Sequence, residues 1–148
     1  MVIDIVGSTN RRAELGEAAA NELDLAERAQ MTEAVRSRGG EVVEFTGDGA
    51  VALLPSASAG IAAALALCRP QFRIGVAVGE VQCLDGTWSG SPLVTAVWLE
   101  RHCPPGAVAC SALAVRTATS APASRAEPLP DLPPGSVQPD AVVLRPRA

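Results

Sequence analysis

Glu41-Val42-Val43-Glu44-Phe45-Thr46-Gly47-Asp48-Gly49-Ala50-Val51-Ala52-Leu53-Leu54 is the stretch on which the fold turns. Two strand-forming runs, Glu41 to Thr46 and Ala50 to Leu54, are separated only by Gly47-Asp48-Gly49, which predicts a tight hairpin. Upstream, Gly39-Gly40 stops a long helical region. That region begins after the capping turn Gly7-Ser8-Thr9-Asn10, bends near Gly16, and carries Ala20, Leu23, Met31 and Ala34 on one face. Before it, Val2 to Val6 is a short apolar strand interrupted by Asp4. Downstream, Pro55-Ser56 opens an Ala-rich helix with Ile61, Leu65 and Cys68 at helical spacing, and Pro70 ends it. Arg73 to Val81 then reads as a strand, Ile74, Val76 and Val78 facing one way and Gly75, Ala77 and Gly79 the other. Strand, helix, hairpin, helix, strand is a βαββαβ split unit. The expected fold is therefore α+β: a ferredoxin-like core with a mainly antiparallel sheet and helices packed on it.

The rest of the chain extends this unit. A loop through Asp85-Gly86 precedes a helix from about Pro92 to Arg101, and Pro104-Pro105-Gly106 turns into a strand, Ala107 to Cys110, followed by a short helix from Ser111. Residues 1–117 form the expected core. Residues 118–148 begin with a Pro- and Ala-rich irregular segment, and Ala141 to Leu144 is a last strand of the same domain. The first strand starts almost at Met1, which is compatible with an upstream segment in a longer chain.

Composition narrows the function classes. At 148 residues the chain buries a core without needing disulfides or a structural metal. Aromatic residues are 3% of the chain, so the core relies on close packing of small side chains. Cys68, Cys83, Cys103 and Cys110 are dispersed and fit neither a zinc cluster nor a secreted disulfide framework. The net charge of −4, with no basic stripe, argues against nucleic acid. No apolar run long enough to span a membrane and no leader pattern is present, so a cytoplasmic location is expected. All 12 basic residues are arginine; the absence of lysine matters below.

Two carboxylates carry the chemistry. Asp4 stands in an apolar strand, where an unpartnered charge costs several kcal/mol. Asp48 sits at the hairpin tip between glycines that let a ligand approach the backbone. Taken singly, Asp4 is accounted for by pairing with an arginine and Asp48 by its turn. Taken together, on strands the split unit makes neighbours, they suit a shared Mg²⁺ or Mn²⁺ site, and the Gly7-Ser8-Thr9 turn ahead of a helix suits phosphate.

Asp4-Ile5-Val6-Gly7-Ser8-Thr9, Gly39-Gly40-Glu41-Val42-Val43, Thr46-Gly47-Asp48-Gly49, the strand Arg73 to Val81 and Pro105-Gly106-Ala107-Val108-Ala109-Cys110-Ser111 together resemble the class III adenylate/guanylate cyclase catalytic domain, in order and with compatible spacing over residues 1 to about 115. The resemblance implies that Asp4 and Asp48 ligate two metal ions with the Ile5 carbonyl assisting. It implies that the backbone of Ile5, Val6, Gly7, Ser8 and Thr9, with Gly47 beside it, holds the triphosphate of ATP or GTP. It also implies a head-to-tail dimer, either of this chain or with a related cyclase domain.

The same resemblance marks departures. Glu44 occupies the position of the family's base-selecting lysine, four residues before Asp48, and Thr87 the second base-selecting position. Val94 stands for a ribose-orienting asparagine and Trp98 for a transition-state arginine. A late triphosphate-binding lysine has no counterpart in a chain without lysine. Arg101, one helical turn beyond Trp98, is the candidate substitute. The expected function is thus a nucleoside triphosphate-binding domain that forms a 3′,5′-cyclic nucleotide weakly or only with a partner. The alternative is a catalytically inactive homologue that binds nucleotide or a partner for regulation.

Overall fold

The computed structural model of the chain describes residues 1–120, 122, 124–130 and 140–147. Its elements follow the order β1 (Val2–Ile5), α1 (Ser8–Leu15), α2 (Glu17–Arg36), β2 (Glu41–Thr46), β3 (Gly49–Leu53), α3 (Ala57–Ala66), β4 (Phe72–Val76), β5 (Gln82–Leu84), β6 (Thr87–Ser89), α4 (Ser91–His102), β7 (Ala107–Ser111), α5 (Ala112–Thr117), β8 (Ser124–Pro128) and β9 (Ala141–Pro146). Seven strands form one sheet in the order β2-β3-β1-β4-β7-β9-β8, and β5-β6 make a separate hairpin. The first four strands in that order are the split unit. Every pairing in the large sheet is antiparallel except β4 with β7.

Alternation along the strands separates two faces. Ile3, Ile5, Ile74, Val76, Val108 and Cys110 face a core shared with Met31 and Val35 of α2, Ile61 and Leu65 of α3 and Ala114 of α5. Ala107, Ala109 and Val143 face the other way, onto Leu99 of α4. Asp4, Arg73 and Gly75 share this second face. Gly75 is required there: a Cβ would run into the Ala96 carbonyl oxygen and lie 2.6 Å from the Glu100 backbone nitrogen. A residue without a side chain lets α4 lie directly on β4, and this fixes where α4 presents its polar groups.

Several expectations need correction. The helical region is two helices broken at Gly16, whose φ of 80° and ψ of 165° no helix interior accommodates. Leu23 is 40% exposed, and the buried positions of α2 are Ala20, Glu27, Met31, Ala34 and Val35. Arg11 explains the buried glutamate, binding both Glu27 carboxylate oxygens at 2.7 Å. The strand expected over Arg73 to Val81 ends at Val76, and Gln82 to Ser89 is a hairpin turned at Asp85-Gly86. Both turn residues have positive φ, so this turn chemistry outweighed the apparent loop. Ser124 to Pro128, expected to be irregular, is an edge strand on β9, where Pro128 is tolerated. Much of the remaining Pro-rich segment lies outside the described residues. The four cysteines are free. Among the described residues no helix is long and apolar enough to cross a membrane.

Candidate functional site

The antiparallel register of β1 and β3 sets Asp4 opposite Gly49, the residue after Asp48. β1 then ends at Ile5, and Gly7, at a φ of 70°, turns the chain into α1. The hairpin tip and this turn meet: the Ser8 hydroxyl donates a short hydrogen bond to an Asp48 carboxylate oxygen. A recess of about 260 Å³ results, lined by Asp4, Ile5, Asp48, Arg73 and the chain from Gly7 to Asn10. The first turn of α1 has no side-chain cap, so its backbone N–H groups remain available to an anion. A Cβ on Gly7 or Gly47 would meet nothing within 4 Å, so both glycines border open space.

Arg73 is the residue that sequence reasoning did not single out. β4 lies beside β1 with Arg73 opposite Asp4, and its Nη2 donates to Asp4 Oδ2 at 2.5 Å. The arginine pairing open to Asp4 from sequence is therefore made. That bond holds the guanidinium pKa above its ordinary value. Behind the pair, Glu100 of α4 is buried, with its Oε1 3.6 Å from Arg73 Nε. Burial, then the Asp4 charge, pushes the Glu100 carboxyl up to about 7, against the pull of Arg73 and Arg101. The signal for Arg73 lay in register: an arginine opening the strand that pairs with the Asp4 strand.

The hairpin tip is held from a second side. Arg28 of α2 donates to the Gly47 carbonyl at 2.8 Å and lies 4.8 Å from the centroid of the Phe45 ring. Arg12, Asn21, Asp24 and Arg28 line an open groove of about 710 Å³ that shares Ser8, Thr9 and Asp48 with the recess. Arg12 is engaged with Glu17 and Asp24.

The remaining sequence candidates divide. The Val6 backbone N–H donates to the Gln71 carbonyl at 2.8 Å. Glu44 is on the exposed outer strand β2, and Thr87 is exposed on the small β5-β6 hairpin. On α4, Val94 is 72% exposed. Trp98 is packed against the Leu99 cluster and stacked on His102 at 4.2 Å between ring centroids. Arg101 is exposed next to Glu100. None of these lines the carboxylate recess.

The recess suits a hard divalent cation by the chemistry of its donors. Among the described residues no three His, Cys, Asp or Glu groups converge on one point. The available set is two carboxylates with hydroxyl and carbonyl oxygens around them, which suits a cation that keeps water and shares phosphate oxygens.

No protein-family model matches the sequence, and no curated protein matches it. Solved structures do. An adenylate/guanylate cyclase/hydrolase from Silicibacter pomeroyi is 23% identical, with a TM-score of 0.74, and the match covers 99% of this chain and 96% of that one. The adenylyl cyclase CyaB from P. aeruginosa is 18% identical, TM-score 0.78, over 99% and 92% of the two chains. An adenylate cyclase from Trypanosoma brucei, solved in its monomeric state, is 14% identical, TM-score 0.80, over 97% and 85%. The chain has the fold of the class III adenylate/guanylate cyclase catalytic domains.

Proposed function

We propose that this chain binds a nucleoside triphosphate, ATP or GTP, together with Mg²⁺ or Mn²⁺ in the recess between Asp4, Asp48 and α1. We further propose that it forms a 3′,5′-cyclic nucleotide and pyrophosphate only weakly alone, or efficiently with a related cyclase domain. The observation that carries this reading is the convergence of Asp4 and Asp48 beside an uncapped helix start and an arginine.

The residues divide the work. Asp4, Asp48 and the Ile5 carbonyl hold the cation. Ser8 orients the Asp48 carboxylate, and the backbone from Gly7 to Thr9 receives phosphoryl oxygens at the positive end of α1. Arg73 supplies a bidentate cation to the same oxygens once Asp4 is otherwise engaged. When bound, the metal lowers the pKa of the ribose hydroxyl and neutralises triphosphate charge.

The α4 side supports the restriction to weak or partnered turnover. Exposed Val94 offers no hydrogen bond, and the Trp98 indole is committed to packing and to His102. Glu44 brings a negative charge where the resemblance calls for a cation. Removing a single positioned donor of this kind costs about 10²- to 10³-fold in rate. The same residues favour the second reading, a nucleotide-binding regulatory domain without turnover.

A Mn²⁺-supported assay of the purified chain over ATP, GTP, CTP and UTP, with products identified by mass, tests the reading. Slow or undetectable cyclization is expected. Robust turnover by the chain alone would overturn the assignment of Val94 and Trp98 as lost functional positions, and Arg101→Ala would then identify the substitute.

A further inference from the structure

Glu100 has no role in the chemistry assigned above, yet it is the carboxylate buried directly behind the recess. Its side chain is 9% exposed, and it sits on the face of α4 that Gly75 allows against β4. Glu100 Oε1 and Arg73 Nε are both buried and both lack a hydrogen-bond partner. They face each other at 3.6 Å, just beyond bonding distance. An unsatisfied buried donor and acceptor of opposite charge are costly apart and complementary together. Arg73 Nη2 is bonded instead to Asp4, at 2.5 Å. Arg73 thus lies between two carboxylates and satisfies one of them.

We propose that Glu100 is a positioning residue for Arg73: when a divalent cation claims Asp4, the guanidinium passes to Glu100, Nε closes on its carboxylate, and the Nη groups remain aimed into the recess. The phosphate-binding consequence rests on the nucleotide reading above; the exchange itself does not. Without a carboxylate behind it, Arg73 released from Asp4 faces a cation in front and water at its partly exposed end. Repulsion and side-chain entropy would then move it out of the site. Glu100 is well placed to prevent this, because the close backbone contact at Gly75 fixes its height over β4. The other charges that act on Glu100 are Asp4, Arg101 and Asp48, and none of them occupies the gap to Arg73 Nε.

Arginine Nε–H resonances of the full ¹⁵N-labelled chain report the exchange directly, with Arg73 assigned by its loss in Arg73→Lys. Asp4→Asn removes the competing charge without any metal. In that variant the Arg73 Nε–H signal is expected to move downfield and to exchange with solvent about tenfold more slowly. In Asp4→Asn/Glu100→Gln both changes are expected to vanish; if the amide destabilises the fold, Glu100→Met serves instead. A second arm titrates inorganic pyrophosphate with Mn²⁺ by calorimetry, where Glu100→Gln is expected to weaken binding about five- to tenfold. An Arg73 Nε–H signal in Asp4→Asn that is the same with glutamate or glutamine at 100 would overturn the proposal. If the exchange is seen while neither Mn²⁺ nor pyrophosphate binds the parent, the nucleotide reading falls and the positioning role of Glu100 stands.

Discussion

The β1–β3 end of the molecule and the exposed side of α4 have been treated differently. At the first, three side chains are held by specific hydrogen bonds: Ser8 on Asp48, Arg73 on Asp4, Arg28 on the Gly47 carbonyl. At the second, the positions that the cyclase resemblance reserves for polar contacts carry an exposed valine and a tryptophan used for packing. One scaffold therefore carries an ordered cluster of polar groups next to a face without the donors that the resemblance calls for. Under the proposed function, the difference assigns metal and phosphate capture to the hairpin and the α1 turn and leaves charge stabilisation to be supplied from elsewhere.

The strongest way to break this comparison is to supply the second half. A related cyclase domain that retains the missing asparagine, arginine and lysines, but carries alanine at its own metal aspartates, should gain about 10²- to 10³-fold in cyclization rate on mixing with this chain. The gain should disappear when Asp48→Ala is used here. A gain that survives Asp48→Ala would show that this carboxylate plays no part.

A second prediction concerns how α4 is seated. Gly75→Ala forces a methyl group into the Ala96 carbonyl and the Glu100 amide, and backbone does not yield as a flexible side chain does. Chemical denaturation should show a loss of about 3 kcal/mol. Gly60→Ala, whose Cβ would stand 3.4 Å from a Val76 methyl, should be tolerated far better. Equal losses at the two sites would contradict the direct α4–β4 contact.

A smaller effect follows from pH. The Glu100 carboxyl is raised from 4.5 to about 7 in the folded chain, so the folded state binds the extra proton between those values. Its contribution to stability is complete below about pH 4.5 and is lost as pH rises through about 7. The loss is on the order of 2 kcal/mol once solvent around the site is allowed for. Glu100→Gln should flatten this part of the stability–pH curve. An unchanged slope in that variant would assign the titration to another group.

Much of the split unit was legible because its signals are local: apolar runs of strand length, Gly-Asp-Gly between two of them, Pro70 and the Gly39-Gly40 stop. Asp4 and Asp48 stood out for the same reason, a charge inside an apolar strand and an acid between glycines. What escaped depends on pairing between distant segments. Arg73 acquires its meaning only when β4 is set beside β1, and Glu100 only when Gly75 admits α4. The bond of the Val6 N–H is of the same kind, because the carbonyl that takes it belongs to Gln71, far along the chain. The last edge strand was hidden by proline content, which marks an edge as readily as a loop.

The central claim is that Asp48 and its neighbours hold a cation with a nucleotide, and calorimetric titration of the parent and Asp48→Ala with Mn²⁺ and a non-hydrolysable nucleoside triphosphate tests it most directly. The account predicts saturable binding to the parent that requires Mn²⁺, a raised melting temperature in the complex, and at least about tenfold weaker binding to Asp48→Ala. Binding of equal strength to the two proteins, or binding to the parent that is indifferent to Mn²⁺, would contradict it.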